Sequence, residues 1–117
     1  PVQFDPPALM DSIGRMMQRG PGCMYLTHFG RVTDVQRLAA DMEVHVHEYV
    51  AMGERHDGAD GRTKAIEADL MAWLCARARE HGVTLEDDAL QEVFANDVKL
   101  NTQGIEIWLD QRRRAAG

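Results

Sequence analysis

Apolar residues recur every three or four positions over most of the chain, which predicts a mainly α-helical fold of four or five helices. Asp5 before two prolines is typical of a helix N-cap, and the Gly-Pro-Gly segment 20–22 predicts the end of this first helix. Thr33, with Gln36 three positions later, predicts a capping box at the start of a second helix that ends near Met52. The apolar stripes of these helices are Leu9, Ile13, Met16 and Met17, then Val35, Leu38, Met42, Val46 and Tyr49.

The second half of the chain contains a predicted boundary and further helices. Segment 53–61 is rich in glycine and aspartate, which predicts a loop. Gly82 is predicted to end a third helix, and Thr84 to cap a fourth whose first turn is acidic. Segment 101–104 predicts an interruption or bend before a short final helix. The apolar stripes here are Ile66, Leu70, Trp73, Leu74 and Ala78, then Leu90, Val93, Phe94 and Val98, then Ile105, Trp108 and Leu109.

Residues 24–27 depart from the helical pattern and predict one short strand. Met24, Tyr25 and Leu26 form an apolar run that leads into a Thr-His pair. Residues 1–4 are predicted to be extended as well. A lone strand cannot satisfy its own backbone hydrogen bonds. We therefore expect residues 24–27 to be buried in a sheet whose other strands lie outside this chain.

Composition and charge narrow the function classes. The chain has 117 residues, 44% of them hydrophobic, and a formal net charge of −6, which argues against binding to nucleic acid or to anionic membranes. No stretch approaches the roughly 20 apolar residues that a membrane span needs. Cys23 and Cys75 lie in apolar surroundings, which predicts buried reduced thiols and a cytoplasmic location. The basic run 112–114 is interpreted as a cap for the negative end of a helix dipole.

The segment MYLTHFGRVTDVQRLAADM, residues 24–42, resembles the last metal-ligand motif of the metallo-β-lactamase-fold hydrolases. In that family an apolar strand ends in a His-Gly-type turn, and a helix with an apolar stripe follows. The resemblance assigns His28 as a metal ligand, although Phe29 separates it from the glycine that directly follows the histidine in many relatives. A fainter resemblance, at Asp97 to Gly104 and at Trp108-Leu109, is to the helical tail of a bacterial subgroup.

The resemblance implies a fragment of a larger enzyme. The main ligand motif of the family, His-x-His-x-Asp-His, is absent from this sequence. Residues 1–58 would be the C-terminal end of the metallo-β-lactamase-like domain, and residues 61–117 a helical extension that caps the active site or makes a dimer contact. The resemblance implies zinc or a similar divalent metal in the parent enzyme and one ligand, His28, in this chain. We expect the isolated chain to be inactive and to form homo-oligomers, and the remainder of the catalytic domain to be its partner.

Two other functions fit the sequence. One is a stand-alone helical interaction or dimerisation module. The other is a helical-bundle metal-binding protein that uses Asp41, His45 and Glu48, which lie four and three positions apart on one helix flank. His45 and His47 cannot chelate one ion together, because residues two apart on a helix point in nearly opposite directions. The sequence contains no nucleophile motif and no glycine-rich phosphate loop.

Overall fold

A computed structural model describes residues 3–117 of the protein and is mainly helical, as predicted. Within these residues there are four helices and one two-stranded antiparallel sheet. The predicted extended conformation of Pro1 and Val2 lies outside the described residues. The elements are α1 (Pro6–Met17), β1 (Met24–Leu26), β2 (Gly30–Val32), α2 (Val35–His56), α3 (Arg62–Glu80) and α4 (Asp87–Ala116).

The chain divides into two compact units, and the division falls inside α2. One unit is Asp5–Glu48, and the other is Tyr49–Gly117 together with Gln3 and Phe4. The assignment of residues 1–58 and 61–117 to two parts of a hydrolase remains a prediction. The compact units describe packing within this chain, and they do not test its relationship to a hydrolase. None of the helices within residues 3–117 has the length and apolar character to cross a bilayer.

The unit Asp5–Glu48 begins with α1 as the sequence predicts. Asp5 Oδ1 accepts a hydrogen bond from the Ala8 backbone N–H at 3.1 Å, and the prolines occupy the first turn. The predicted capping residue of α2 is wrong by one position: the helix begins at Val35, and the carbonyl of Asp34 accepts the bond from the Leu38 N–H. Asp34 has φ +53°, a left-handed conformation that aspartate tolerates better than most residues.

The unit Tyr49–Gly117 contains a continuous apolar core. Its α3 packs against α4, and Phe4 lies edge-on to the Trp108 ring with the ring centroids 5.5 Å apart. The α3 helix ends as predicted at Gly82, where the Val83 N–H donates to the Ala78 carbonyl in a Schellman motif. The buried residues of this unit are Phe4, Met52, Gly53, Ile66, Leu70, Leu90, Val98, Thr102, Gly104, Ile105 and Leu109.

Helix α2 is longer than predicted because of a close helix contact. It continues through Gly53 to His56 instead of ending near Met52. A Cβ at Gly53 would lie 2.8 Å from Ile105 Cγ2 and 3.2 Å from Trp108 Cζ3, so glycine allows the two helix backbones to approach. The predicted loop 53–61 is therefore reduced to the segment between His56 and Arg62.

The predicted interruption at 101–104 is also wrong, because α4 is one helix of 30 residues. Thr102 and Gly104 are buried in this helix, and the Asn101 side chain donates to the Tyr49 hydroxyl at 3.3 Å. Tertiary contacts of these residues outweigh their weak helix propensity. Thr84 does not cap the helix: Glu86 occupies the N-cap position, without a side-chain cap bond.

Candidate functional site

His28 lies at the tip of a β-hairpin. Strands β1 and β2 pair in the register Met24 with Val32 and Leu26 with Gly30, which leaves residues 27–29 as the connecting turn. The Phe29 N–H donates to the Leu26 carbonyl at 3.4 Å, and Gly30 has φ +111°. That φ is unfavourable for any residue with a side chain. The glycine after the histidine therefore has a clear role in the turn.

The expectation of a buried strand without a partner in this chain is wrong. The strand itself is where the sequence places it, at residues 24–26, but β2 directly follows the turn and satisfies part of its backbone. Tyr25 is 76% exposed, Leu26 43% and Phe29 81%. His28 is exposed too. The histidine is therefore accessible at the end of a small hairpin with an apolar surface.

The second predicted ligand group, on α2, contains a carboxylate that already has a cationic partner. Asp41 accepts a hydrogen bond from Arg37 at 2.8 Å, and the same guanidinium donates to Asp34 at 2.6 Å. These two carboxylates raise the pKa of Arg37, with Asp34 the larger contributor. His45 and Glu48 are half-buried, and His47 is exposed.

No metal centre is assembled within the described part of the chain. Nowhere in residues 3–117 do three or more His, Cys, Asp or Glu side chains come together as potential ligands. Neither His28 nor the Asp41, His45 and Glu48 set forms such a group. The two cysteines are free and half-buried, not fully buried as predicted.

A histidine–carboxylate pair that sequence reasoning missed joins the end of α2 to α3. His56 Nε2 lies 2.9 Å from Asp69 Oδ2, and Arg55 donates to the same oxygen at 2.6 Å. The hydrogen bond with His56 is the main cause that lowers the pKa of the Asp69 carboxyl, and Arg55 adds to the effect. The partners are 13 residues apart on different helices, so no local spacing signals the pair.

A second polar cluster surrounds Arg62 at the start of α3. Its guanidinium donates to Asp110 at 2.7 Å and to Glu106 at 3.3 Å, and Thr63 also donates to Glu106. The hydrogen bond to Asp110 is the main cause that raises the pKa of Arg62, and it lowers the pKa of Asp110. Every carboxylate in this cluster faces arginine, which is the arrangement of an ion-paired helix contact.

The basic run at the end of α4 contacts α2, and Arg113 and Arg114 lie in the last turn of α4, where positive charge is favourable to the helix dipole. Arg112 donates to Glu54 at 2.8 Å and lies over the Trp108 ring, 4.7 Å from its centroid, while Arg113 donates to Asp57. In the same unit, burial raises the pKa of the Tyr49 hydroxyl, and the charge of Asp97 adds to this increase. These contacts hold helices together and leave His28 as the exposed candidate that the sequence singled out.

Comparison of the chain with family models, with curated proteins and with solved structures found no match.

Proposed function

We propose that this chain is the C-terminal part of a metal-dependent hydrolase of the metallo-β-lactamase superfamily, and that His28 supplies one metal ligand. The observation that carries the proposal is the position of His28. It is exposed in a tight turn after β1, and β2, which begins at Gly30, and then α2 follow it. Apart from the short strand β2, this is the order of elements in the motif that residues 24–42 resemble.

The apolar surface of the hairpin supports the same proposal. Two-stranded sheets are marginally stable in water unless another surface covers them. Tyr25, Leu26 and Phe29 surround the histidine with exposed apolar area. The sheet of a catalytic domain would cover these side chains and hold the imidazole in a fixed direction.

The described residues do not by themselves form a complete metal site. A catalytic zinc ion takes three protein ligands and keeps one position for water. Residues 3–117 bring no three suitable side chains together. The proposal therefore assigns the remaining ligands to the upstream part of the catalytic domain. The isolated chain should not hydrolyse substrates, because one imidazole cannot hold the ion in catalytic geometry.

The first test is made on the gene and on its full product. We expect the reading frame to encode a His-x-His-x-Asp-His motif upstream of residue 1. The purified full-length protein should lose bound zinc, measured by elemental analysis, when it carries His28→Ala. The matched control is His47→Ala, since His47 is an exposed histidine on α2. Absence of the upstream motif, or equal zinc content in both variants, would contradict the proposal.

Calorimetric titration of the 117-residue chain with zinc provides the second test. Weak or absent binding is expected in the wild type, in His28→Ala and in Glu48→Ala. Tight binding of one ion per chain that is retained in His28→Ala and lost in Glu48→Ala would refute the proposal. It would instead support the metal-binding bundle with Asp41, His45 and Glu48.

A stand-alone helical interaction module is the second candidate, and one observation favours it. The unit Tyr49–Gly117 has a core of its own, in which Ile66, Leu70 and Ile105 are completely buried. Such a unit can present surfaces to partners without any catalytic role. A reading frame without the upstream motif would favour this candidate.

A further inference from the structure

Helix α4 carries an exposed apolar stripe on the side away from the core. Val93 is 59% exposed, and Leu100 and Ile107 are each 41% exposed. Residues seven apart lie almost directly above one another on an α-helix, since two turns take 7.2 residues. The buried side chains Val98, Thr102, Ile105 and Leu109 lie on the opposite side of the same helix. We call Val93, Leu100 and Ile107 the α4 stripe.

Charges of opposite sign lie at the two ends of the α4 stripe. Segment 86–88 is Glu-Asp-Asp and segment 112–114 is Arg-Arg-Arg, and all six residues are exposed. Leu100 lies midway: residue 86 is as far before it as residue 114 is after it. The distribution of charge along α4 is therefore antisymmetric about the central leucine of the stripe.

We propose that a second copy of this chain docks antiparallel along α4, with Leu100 of each copy at the two-fold axis. In this register Val93 lies opposite Ile107, and the acidic start of one helix lies beside the arginine end of the other. The interface is isologous, because the same patch is used by both copies. A parallel arrangement would place the acids together and the arginines together, which is unfavourable.

The hydrophobic part of the proposed interface is small, so the charges decide the relative orientation of the two helices. Asn96 and Gln103 alternate with the apolar residues along the stripe, and the apolar contact therefore consists of three separate layers along the helix. A helix of 30 residues is about 45 Å long, enough for the contact to extend over both charged ends. Apolar contact then supplies attraction, and the charged ends select the antiparallel register.

Some charged residues of segments 86–88 and 112–114 also form ion pairs within the chain. This determines which residues are suitable for substitution in an experiment. Asp87 accepts from Arg79, Arg112 donates to Glu54, and Arg113 donates to Asp57. Glu86 and Arg114 form no ion pair closer than 4.0 Å within residues 3–117, although the charge of Arg114 helps to lower the pKa of Asp110. Substitutions at these two positions therefore alter the proposed interface without breaking an internal ion pair.

The first experiment measures self-association of the 117-residue chain by sedimentation equilibrium. We expect dimers, with the dissociation constant raised about tenfold or more by Leu100→Asp, a loss of roughly 1.4 kcal/mol or more. The matched control is Leu26→Asp, a leucine of similar exposure on β1. Circular dichroism should show unchanged helix content in both variants. A monomeric wild type, or dimers weakened by Leu26→Asp and not by Leu100→Asp, would overturn the proposal.

The second experiment tests the antiparallel register through charge. Glu86→Lys places like charges at both ends of an antiparallel dimer, and so does Arg114→Glu. Each variant alone should dimerise less tightly than wild type at low salt, by a factor of about three to ten. An equimolar mixture of the two restores opposite charges at both ends and should form heterodimers as tight as the wild type.

Other outcomes of the charge experiment would refute the register. Single variants that dimerise as well as wild type would indicate a parallel contact or another surface. A mixture no tighter than its separate components would show that residues 86 and 114 do not meet across the interface. Neither experiment involves zinc or His28, so the result is independent of the hydrolase proposal.

Discussion

The α3–α4 contact and the β1–β2 hairpin use apolar side chains in opposite ways. In the helical region Ile66, Leu70 and Ile105 are inaccessible to water, and polar residues at the margin pair with one another. In the hairpin Tyr25 and Phe29 are mostly exposed although the local backbone is paired. The helical region is stabilised by its own contacts, whereas the hairpin leaves its apolar side chains exposed.

The largest effect should come from the helical core. Leu70→Ala removes a completely buried side chain and leaves a cavity, so we expect a loss of about 2–5 kcal/mol of unfolding free energy. Leu26→Ala, on the exposed hairpin, should cost less than about 0.5 kcal/mol. Urea denaturation followed by circular dichroism measures both. Equal losses would show that the two regions are equally packed.

Glycine substitutions test the close approach of α2 to α4. Gly53→Ala puts a methyl group against Ile105 and Trp108, and we expect a loss of about 1–3 kcal/mol. Gly14 in α1 is the matched control, because a Cβ there meets nothing within 4 Å. Gly14→Ala should raise stability by about 0.5–1 kcal/mol through improved helix propensity. Thermal denaturation of both variants measures whether each substitution raises or lowers the stability. A Gly53→Ala variant that is more stable than the wild type would contradict the close contact.

Acidic pH should lower the unfolding free energy of the helical region, partly through protonation of the Asp69 carboxylate. The pKa of Asp69 is lower in the folded chain than in the unfolded chain, so its contribution is present above the unfolded pKa. That contribution is lost as the pH falls below about 4 and through the folded pKa.

Asp69→Asn should therefore reduce stability at neutral pH by up to about 1 kcal/mol and have less effect in acid. Urea titrations at neutral and acidic pH measure this change. Asp60→Asn, in the exposed loop between α2 and α3, is the control and should change the unfolding free energy at neutral pH by less than about 0.5 kcal/mol. An equal loss at both pH values would show that the Asp69 charge is not involved.

The smallest effect on stability is expected at the hairpin tip. Phe29→Ser should change the unfolding free energy of the isolated chain by less than about 0.5 kcal/mol, because the ring is already exposed. In the full-length hydrolase that we propose, the same change should lower stability or zinc content, since the ring would be covered there. A large loss in the isolated chain would mean that the hairpin is packed in solution.

The sequence alone determined the mainly helical class and the approximate positions of the helices, although it divided α4 in two. A repeating apolar stripe encodes a helix wherever it occurs, and Asp5 and Gly82 mark ends through local backbone chemistry. His28 was placed correctly after a short strand for the same local reason, although β2 was missed. Three residues that begin with glycine are too short to show alternation.

Tertiary structure decided the features that depend on residues distant in sequence. Gly53 and the segment 101–104 look like helix ends because small and polar residues have weak intrinsic helix propensity. Both are helical here because Gly53 lets α2 approach α4 and Asn101 bonds to Tyr49. The pairing of His56 with Asp69 has the same origin. Local propensity is a fraction of a kcal/mol to about 1 kcal/mol per residue, and the burial gained by helix packing exceeds it.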